Sequence, residues 1–220
     1  MRGKCLILMI IVLMMIPMGA GNAQSFVFIH EFLADPALGP AGDANNDGTR
    51  DSYEDEFVEL FNLSSGTVDI SGWSIADALA ERYSFTAGTL IQPNSAFVVF
   101  GGGTPNLPGI DWQVLTSGSL NLNNGGDTII LSDATGSLID SHTYGSEAGD
   151  DQSITRSPEG TRGGWVSHTD LPNADGKLFS PGYLVNDLPP QSTVPEPATV
   201  FSILSGLGLI LVKKIPGRNT

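Results

Sequence analysis

Twelve consecutive residues, Asp43-Ala44-Asn45-Asn46-Asp47-Gly48-Thr49-Arg50-Asp51-Ser52-Tyr53-Glu54, carry oxygen-bearing side chains at positions 1, 3, 5, 9 and 12 and a glycine at position 6. A calcium ion wants six to eight oxygen ligands at about 2.3–2.6 Å, and a loop of this spacing can supply them. The predicted set is the side chains of Asp43, Asn45 and Asp47, the carbonyl of Thr49, Asp51 directly or through water, and a bidentate Glu54, with Gly48 making the bend around the ion. The carboxylates of Asp43, Asp47, Asp51 and Glu54 repel one another when the loop is empty, and a divalent cation removes that penalty. Magnesium suits the loop less, because its rigid octahedron keeps several waters. The competing reading is an ordinary Asn/Asp/Gly turn without metal, which leaves the glutamate at position 12 unexplained.

No other constellation in the chain carries chemistry. His30, His142 and His168 lack the spacing of zinc hydrolases, and neither a Gly-x-Ser-x-Gly turn nor a phosphate-cradling glycine loop occurs. An acid pair drawn from the many Asp and Glu residues stays open as a hidden hydrolase centre, because sequence alone does not set carboxylate separations. Glu31 and Glu59 could form such a couple, although strand residues of this kind are expected to face solvent or bond turns. The expectation is a protein that is not an enzyme.

Both ends of the chain read as addresses. Arg2 and Lys4 precede the apolar stretch Cys5 to Ile16, and Gly21-Asn22-Ala23 offers a small-x-small cleavage site, so residues 1–23 are a signal peptide and the mature chain begins at Gln24. At the other end, a linker at 188–193 leads to a tail at 194–220. The tail joins Pro195-Glu196-Pro197 to an uncharged apolar run at 200–212 and then to Lys213, Lys214 and Arg218. Positive charge behind an apolar run places that end on the cytoplasmic side of a membrane. The run is shorter than the roughly 20 residues of a comfortable transmembrane helix, so the hold is marginal.

With these ends set aside, residues 24–187 form one domain. Between Gln24 and Pro190 stand 23 acidic and 5 basic side chains, a formal charge of −18. Such a surface repels nucleic acid and anionic lipid and favours divalent cations. The sole cysteine, Cys5, lies in the signal peptide, so the exported body folds without a disulfide.

The calcium loop must be held by strands. Short segments rich in Val, Ile, Phe and Trp recur between Gly, Asn, Asp and Pro, which predicts strands at 26–33, 56–62, 73–76, 83–85, 96–100, 128–132, 138–144 and 165–168. About eight short strands with frequent turns make an all-β antiparallel sandwich. Strands rather than helices beside the loop favour a structural ion over a regulatory switch. Trp73 and Trp165 are expected to anchor the packing.

Two resemblances sharpen this picture. Asp55-Glu56-Phe57-Val58-Glu59-Leu60-Phe61-Asn62, Val68-Asp69-Ile70-Ser71-Gly72-Trp73, Phe97-Val98-Val99-Phe100, Leu122 to Leu131, and Asp151 to Arg156 with Trp165 resemble, in order and spacing, the bacterial lamin-tail domain over roughly Ser25 to Pro181. That resemblance implies an immunoglobulin-like β-sandwich without catalytic residues of its own. The tail is similar to the PEP-CTERM sorting signal of Gram-negative bacteria, which implies recognition by the membrane protease-transferase exosortase. A passage through the inner membrane and release to the cell surface or exopolysaccharide matrix would follow. A plain C-terminal membrane anchor is the simpler reading of the same residues. The expected function is therefore a structural or adhesive surface protein stabilised by calcium. The alternative is a calcium-dependent carbohydrate-binding module engaging exopolysaccharide, with Trp112 or Tyr183 as stacking platforms.

Overall fold

A computed structural model describes residues 26–116 and 119–184, so the expected signal peptide, linker and sorting tail lie outside the described residues. Among the described residues there are twelve strands: β1 (Val27–Leu33), β2 (Phe57–Asn62), β3 (Val68–Asp69), β4 (Ser74–Ala76), β5 (Glu81–Ser84), β6 (Leu90–Ile91), β7 (Ser95–Phe100), β8 (Asp111–Val114), β9 (Asp127–Ser132), β10 (Leu138–Tyr144), β11 (Ile154–Ser157) and β12 (Gly164–Ser167). They form a six-stranded sheet in the order β12-β11-β1-β2-β7-β8, a four-stranded sheet β10-β9-β4-β5, and the small pair β3-β6. All eight predicted segments are strands, and β3, β6, β8 and β11 are additional.

The sheets meet through one apolar core. Ile29, Phe32, Val58, Leu60, Phe97 and Val99 from the large sheet pack with Ile75, Ile129, Leu131 and Tyr144 from the smaller one. Trp73 and Trp165 pack against this core, as expected. The opposite face of the large sheet is covered too: Phe57, Val98 and Phe100 are buried with Leu33 and Ala44 beneath Leu107, Ile110 and Phe179. Consequently all six residues of β2 are buried, and Glu59 lies inside the protein rather than in solvent.

One pairing departs from the expected antiparallel pattern. β8 runs parallel to β7, with Phe97 opposite Asp111 and Phe100 opposite Val114. Parallel neighbours need a connection long enough to bring the chain back to its starting end. Residues 101–110 make that return, and they also form the seat of the loop described next.

Candidate functional site

The loop at 43–54 lies in the connection between β1 and β2, as expected, and its side chains fold inward onto its own amides. Asp43 Oδ1 and Asn45 Oδ1 both accept from the Asp47 N–H, at 3.1 and 3.0 Å, while Asp43 Oδ2 accepts from the Gly48 N–H at 2.9 Å. Asp47 Oδ1 accepts from Thr49 N–H at 2.9 Å. Gly48 has φ +92°, the left-handed bend the spacing requires. Asp51 turns the other way and accepts from the N–H groups of Tyr53 and Glu54. Those two bonds hold its carboxyl below the usual range.

Three glycines after β7 form the seat. A Cβ on Gly101 would lie 1.8 Å from the Tyr53 carbonyl oxygen, one on Gly102 would lie 2.9 Å from Glu54 Cγ, and one on Gly103 would lie 2.3 Å from Asn45 Nδ2 and 2.7 Å from Asp47 Oδ2. Asn45, Asp47 and Glu54 are thus brought to a single glycine strip that no other residue type could provide. Thr104 N–H donates to Asp47 Oδ2 at 3.1 Å, and Asn106 N–H to the Asn45 carbonyl at 2.9 Å. The loop and the β7–β8 return therefore hold each other.

Asp55, one residue past the predicted ligand set, is fully buried and closes the loop. Its two carboxylate oxygens accept from Asn45 N–H at 3.0 Å and Asp51 N–H at 2.7 Å. Burial pushes its pKa up, while those amides and that of Ala44 pull it back. The sequence signals were its place at the head of a hydrophobic run and of the segment that resembles the lamin-tail domain. Oxygen donors, an all-polar ligand set and a strip that any Cβ would fill suit a hard cation, although the carboxylates of the loop do not gather within 4.8 Å of one another.

Among the described residues, the one group of three His, Cys, Asp or Glu side chains gathered that closely is His30, Glu31 and Glu59, all buried. They sit where β1 bulges between Ile29 and Glu31, with Glu31 opposite Glu59 across the ladder. The paired acids considered from the sequence are real neighbours, but neither faces solvent. Glu31 Oε1 accepts from Ser153 Oγ (2.7 Å) and Ser180 N–H (3.0 Å), and Glu31 Oε2 accepts from Ser180 Oγ (3.1 Å). Glu59 Oε2 accepts from Gly182 N–H at 2.6 Å, and Glu59 Oε1 faces His30 Nδ1 at 2.6 Å. His30 Nε2 accepts from Gly160 N–H at 2.9 Å, so the pair holds one proton between Nδ1 and Oε1. Burial lowers the His30 pKa, but the adjoining Glu59, helped by Glu31, outweighs it and leaves the net direction upward. Burial raises Glu59 as well. Every ligand atom here is already bonded, so the cluster is a structural knot that clasps residues 153–182 to β1 and β2.

The two aromatic candidates differ. Tyr183 is tied down, its hydroxyl donating to the Pro108 carbonyl at 2.9 Å. Trp112 is 37% exposed on β8, and among the described residues no side-chain hydrogen bond or ring contact engages it. Trp165, in contrast, stacks on His142 with ring centres 4.1 Å apart, and the Arg156 guanidinium lies 4.4 Å from its ring centre.

Two face-to-face sheets around one apolar core define an immunoglobulin-like sandwich. The Lamin Tail Domain family matches residues 21–146, and the chain belongs to that family, a family of non-enzymatic structural domains. No curated protein matches the chain. The match stops before β11 and β12, which complete the large sheet beside β1.

Proposed function

We propose that this chain is an exported, non-enzymatic lamin-tail module that works as a structural or adhesive element at the cell surface or in the extracellular matrix. What supports it best is the domain itself: a lamin-tail sandwich whose buried acids are all committed to holding the fold. The ends of the sequence supply the address, with residues 1–23 as signal peptide and 194–220 as a tail for an exosortase-type system, crossing the inner membrane on the way. Intact-mass measurement on full-length chain recovered from membrane, envelope and medium tests it. A surface species starting at Gln24 and ending between Pro195 and Thr199 is the expected result. A species retaining both ends in the cytosol would remove the export reading.

Calcium at the 43–54 loop belongs to the same proposal. Asp43, Asn45, Asp47 and Glu54, with the Thr49 carbonyl and Asp51, would hold the ion, which would neutralise the loop's carboxylates. At a tenfold excess of ion over its dissociation constant, linkage adds about 1.4 kcal/mol. A second reading, a carbohydrate-binding module, is favoured by one specific observation, the 37% exposure of Trp112 on the edge strand β8.

A further inference from the structure

The last stretch of the described chain crosses the outer face of the large sheet strand by strand. Leu171 and Ala174 pack on Val166 of β12. Further along, the N–H and hydroxyl of Ser180 donate to Glu31 of β1, and the Gly182 N–H donates to Glu59 of β2. Glu31 stands opposite Glu59, Glu59 opposite Val98 of β7, and Val98 opposite Trp112 of β8. Residues directly opposite in a ladder share a face, so these four side chains form one row on the outer side of the sheet. Ser180 and Gly182 are bonded to its first two members. Two residues of chain therefore advance this strap by one strand, which extended backbone at about 3.3 Å per residue can do over strands about 4.8 Å apart.

Beyond Gly182 the strap heads for β8. A Cβ on Gly182 would come within 2.3 Å of the side chain of Ile110, the residue before β8, and the Tyr183 hydroxyl donates to the Pro108 carbonyl. Glu31, Glu59 and Val98 are sealed, whereas Trp112, the outermost member of the row, is 37% exposed. Ile110 and Val114, two residues to either side of it, pack on the buried cluster of Phe57 and Phe100. The sequence past Leu184 reads Val185-Asn186-Asp187-Leu188-Pro189-Pro190, and two more steps of the strap bring this segment over Val98 and Trp112. Its chemistry suits the place. Proline has no N–H to leave unpaired, the residue before a proline is held extended, and extended proline-bearing segments dock on aromatic surfaces. A second copy would bring a formal charge of −14 against −14, while the chain's own segment is already tethered beside the ring.

We propose that residues 185–190 dock on the outer face of β8, with Val185 and Leu188 to Pro190 covering Trp112, and so complete the strap that begins at Leu171. The contact does not depend on export, because the segment ends before the expected cut between Pro195 and Thr199, and it competes with a glycan for the same indole ring. Hydroxyl-radical footprinting of the full-length chain in mild detergent, read by peptide mass spectrometry, tests it, with the core-packed Trp73 and Trp165 as internal references. In the parent, Trp112 should oxidise no faster than these two. Val185→Asp combined with Leu188→Asp should raise its rate about threefold, and Val194→Asp, past the segment, should leave it unchanged. Trp112→Ala should in turn speed amide exchange at 185–188, and Trp112→Phe should largely restore it. The two sets of variants alter opposite sides of the contact, so a folding failure in one, seen by melting, leaves the other to decide. A Trp112 that oxidises severalfold faster than the references in the parent, or equally fast in the parent and the double variant, would overturn the proposal. Protection that grows with protein concentration would give the face to a second copy, and protection that appears only with added xylan, mannan or hydroxyethylcellulose would give it to a glycan. Either result also overturns it.

Discussion

Glu56 is 3% exposed at the entry to β2, with Ser119 Oγ donating to its carboxylate at 3.2 Å. Burial raises its pKa from 4.5 to about 7, opposed by bonds from Ser119 and the Leu122 and Asn121 amides. A group raised in the folded state binds its proton more tightly there than in the unfolded chain. Its contribution to stability is therefore complete below about pH 4.5 and is lost as the pH rises towards about 7. At about 1.4 kcal/mol per pKa unit the loss approaches about 3 kcal/mol. Denaturant midpoints of full-length protein and Glu56→Gln, compared at about pH 4.5 and about pH 8, should show a clear fall for the parent and a smaller one for the variant. Parallel pH profiles would assign the dependence to other groups. The sequence placed Glu56 at the head of a predicted strand but did not show its burial, because the Ser119 contact joins residues 63 positions apart.

At the scale of elements, the glycine strip and the acidic loop depend on each other. Gly103 has φ +78°, and any Cβ there meets both Asn45 and Asp47. Gly103→Val should therefore cost more than about 2 kcal/mol, through backbone strain and displacement of the loop, whereas Gly109→Val, also at positive φ but in open space, should cost less. Urea melts of the full-length variants measure both, and equal losses would mean that the loop does not need its seat. The loop itself was legible in the sequence through the spacing of Asp43, Asn45, Asp47, Gly48 and Glu54, and its place between two strands was legible as well. The seat was not, because the contacts join residues 48 or more positions apart. Strands β1, β2, β7, β9 and β10 announced themselves by their apolar character. β8, with the sequence Asp-Trp-Gln-Val, and β11, Ile-Thr-Arg-Ser, carry few aliphatic residues and become strands through their neighbours. In β11, Arg156 donates to the Ile29 carbonyl at 2.9 Å and to Asp140 at 3.1 Å, tying the large sheet to the small one. A solvated arginine would look the same in one dimension. In β2, Val58 and Leu60 face the core between the sheets while Phe57 and Phe61 pack on the other side, and nothing within the segment shows that other parts of the chain cover both faces.

For the whole molecule, the lamin-tail match ends at residue 146 while the fold goes on. A chain cut after 146 loses β11 from the edge of β1 and, with it, Ser153, Gly160, Ser180 and Gly182, the partners of Glu31, His30 and Glu59. Buried carboxylates stripped of partners cost several kcal/mol each. That is comparable with the whole stability of a domain of this size. The expected outcome is a chain without dispersed amide NMR signals, while one cut after Leu184 melts cooperatively. A folded 1–146 fragment would show the remaining residues to be an appendage. The same clasp also sets how the molecule answers a mechanical load. Tension applied through the polypeptide beyond Leu184 would load the Tyr183–Pro108 bond and then the Gly182–Glu59 and Ser180–Glu31 bonds, so the expected first event under pull is the peeling of residues 180–183 from the large sheet, with water reaching its two sealed acids.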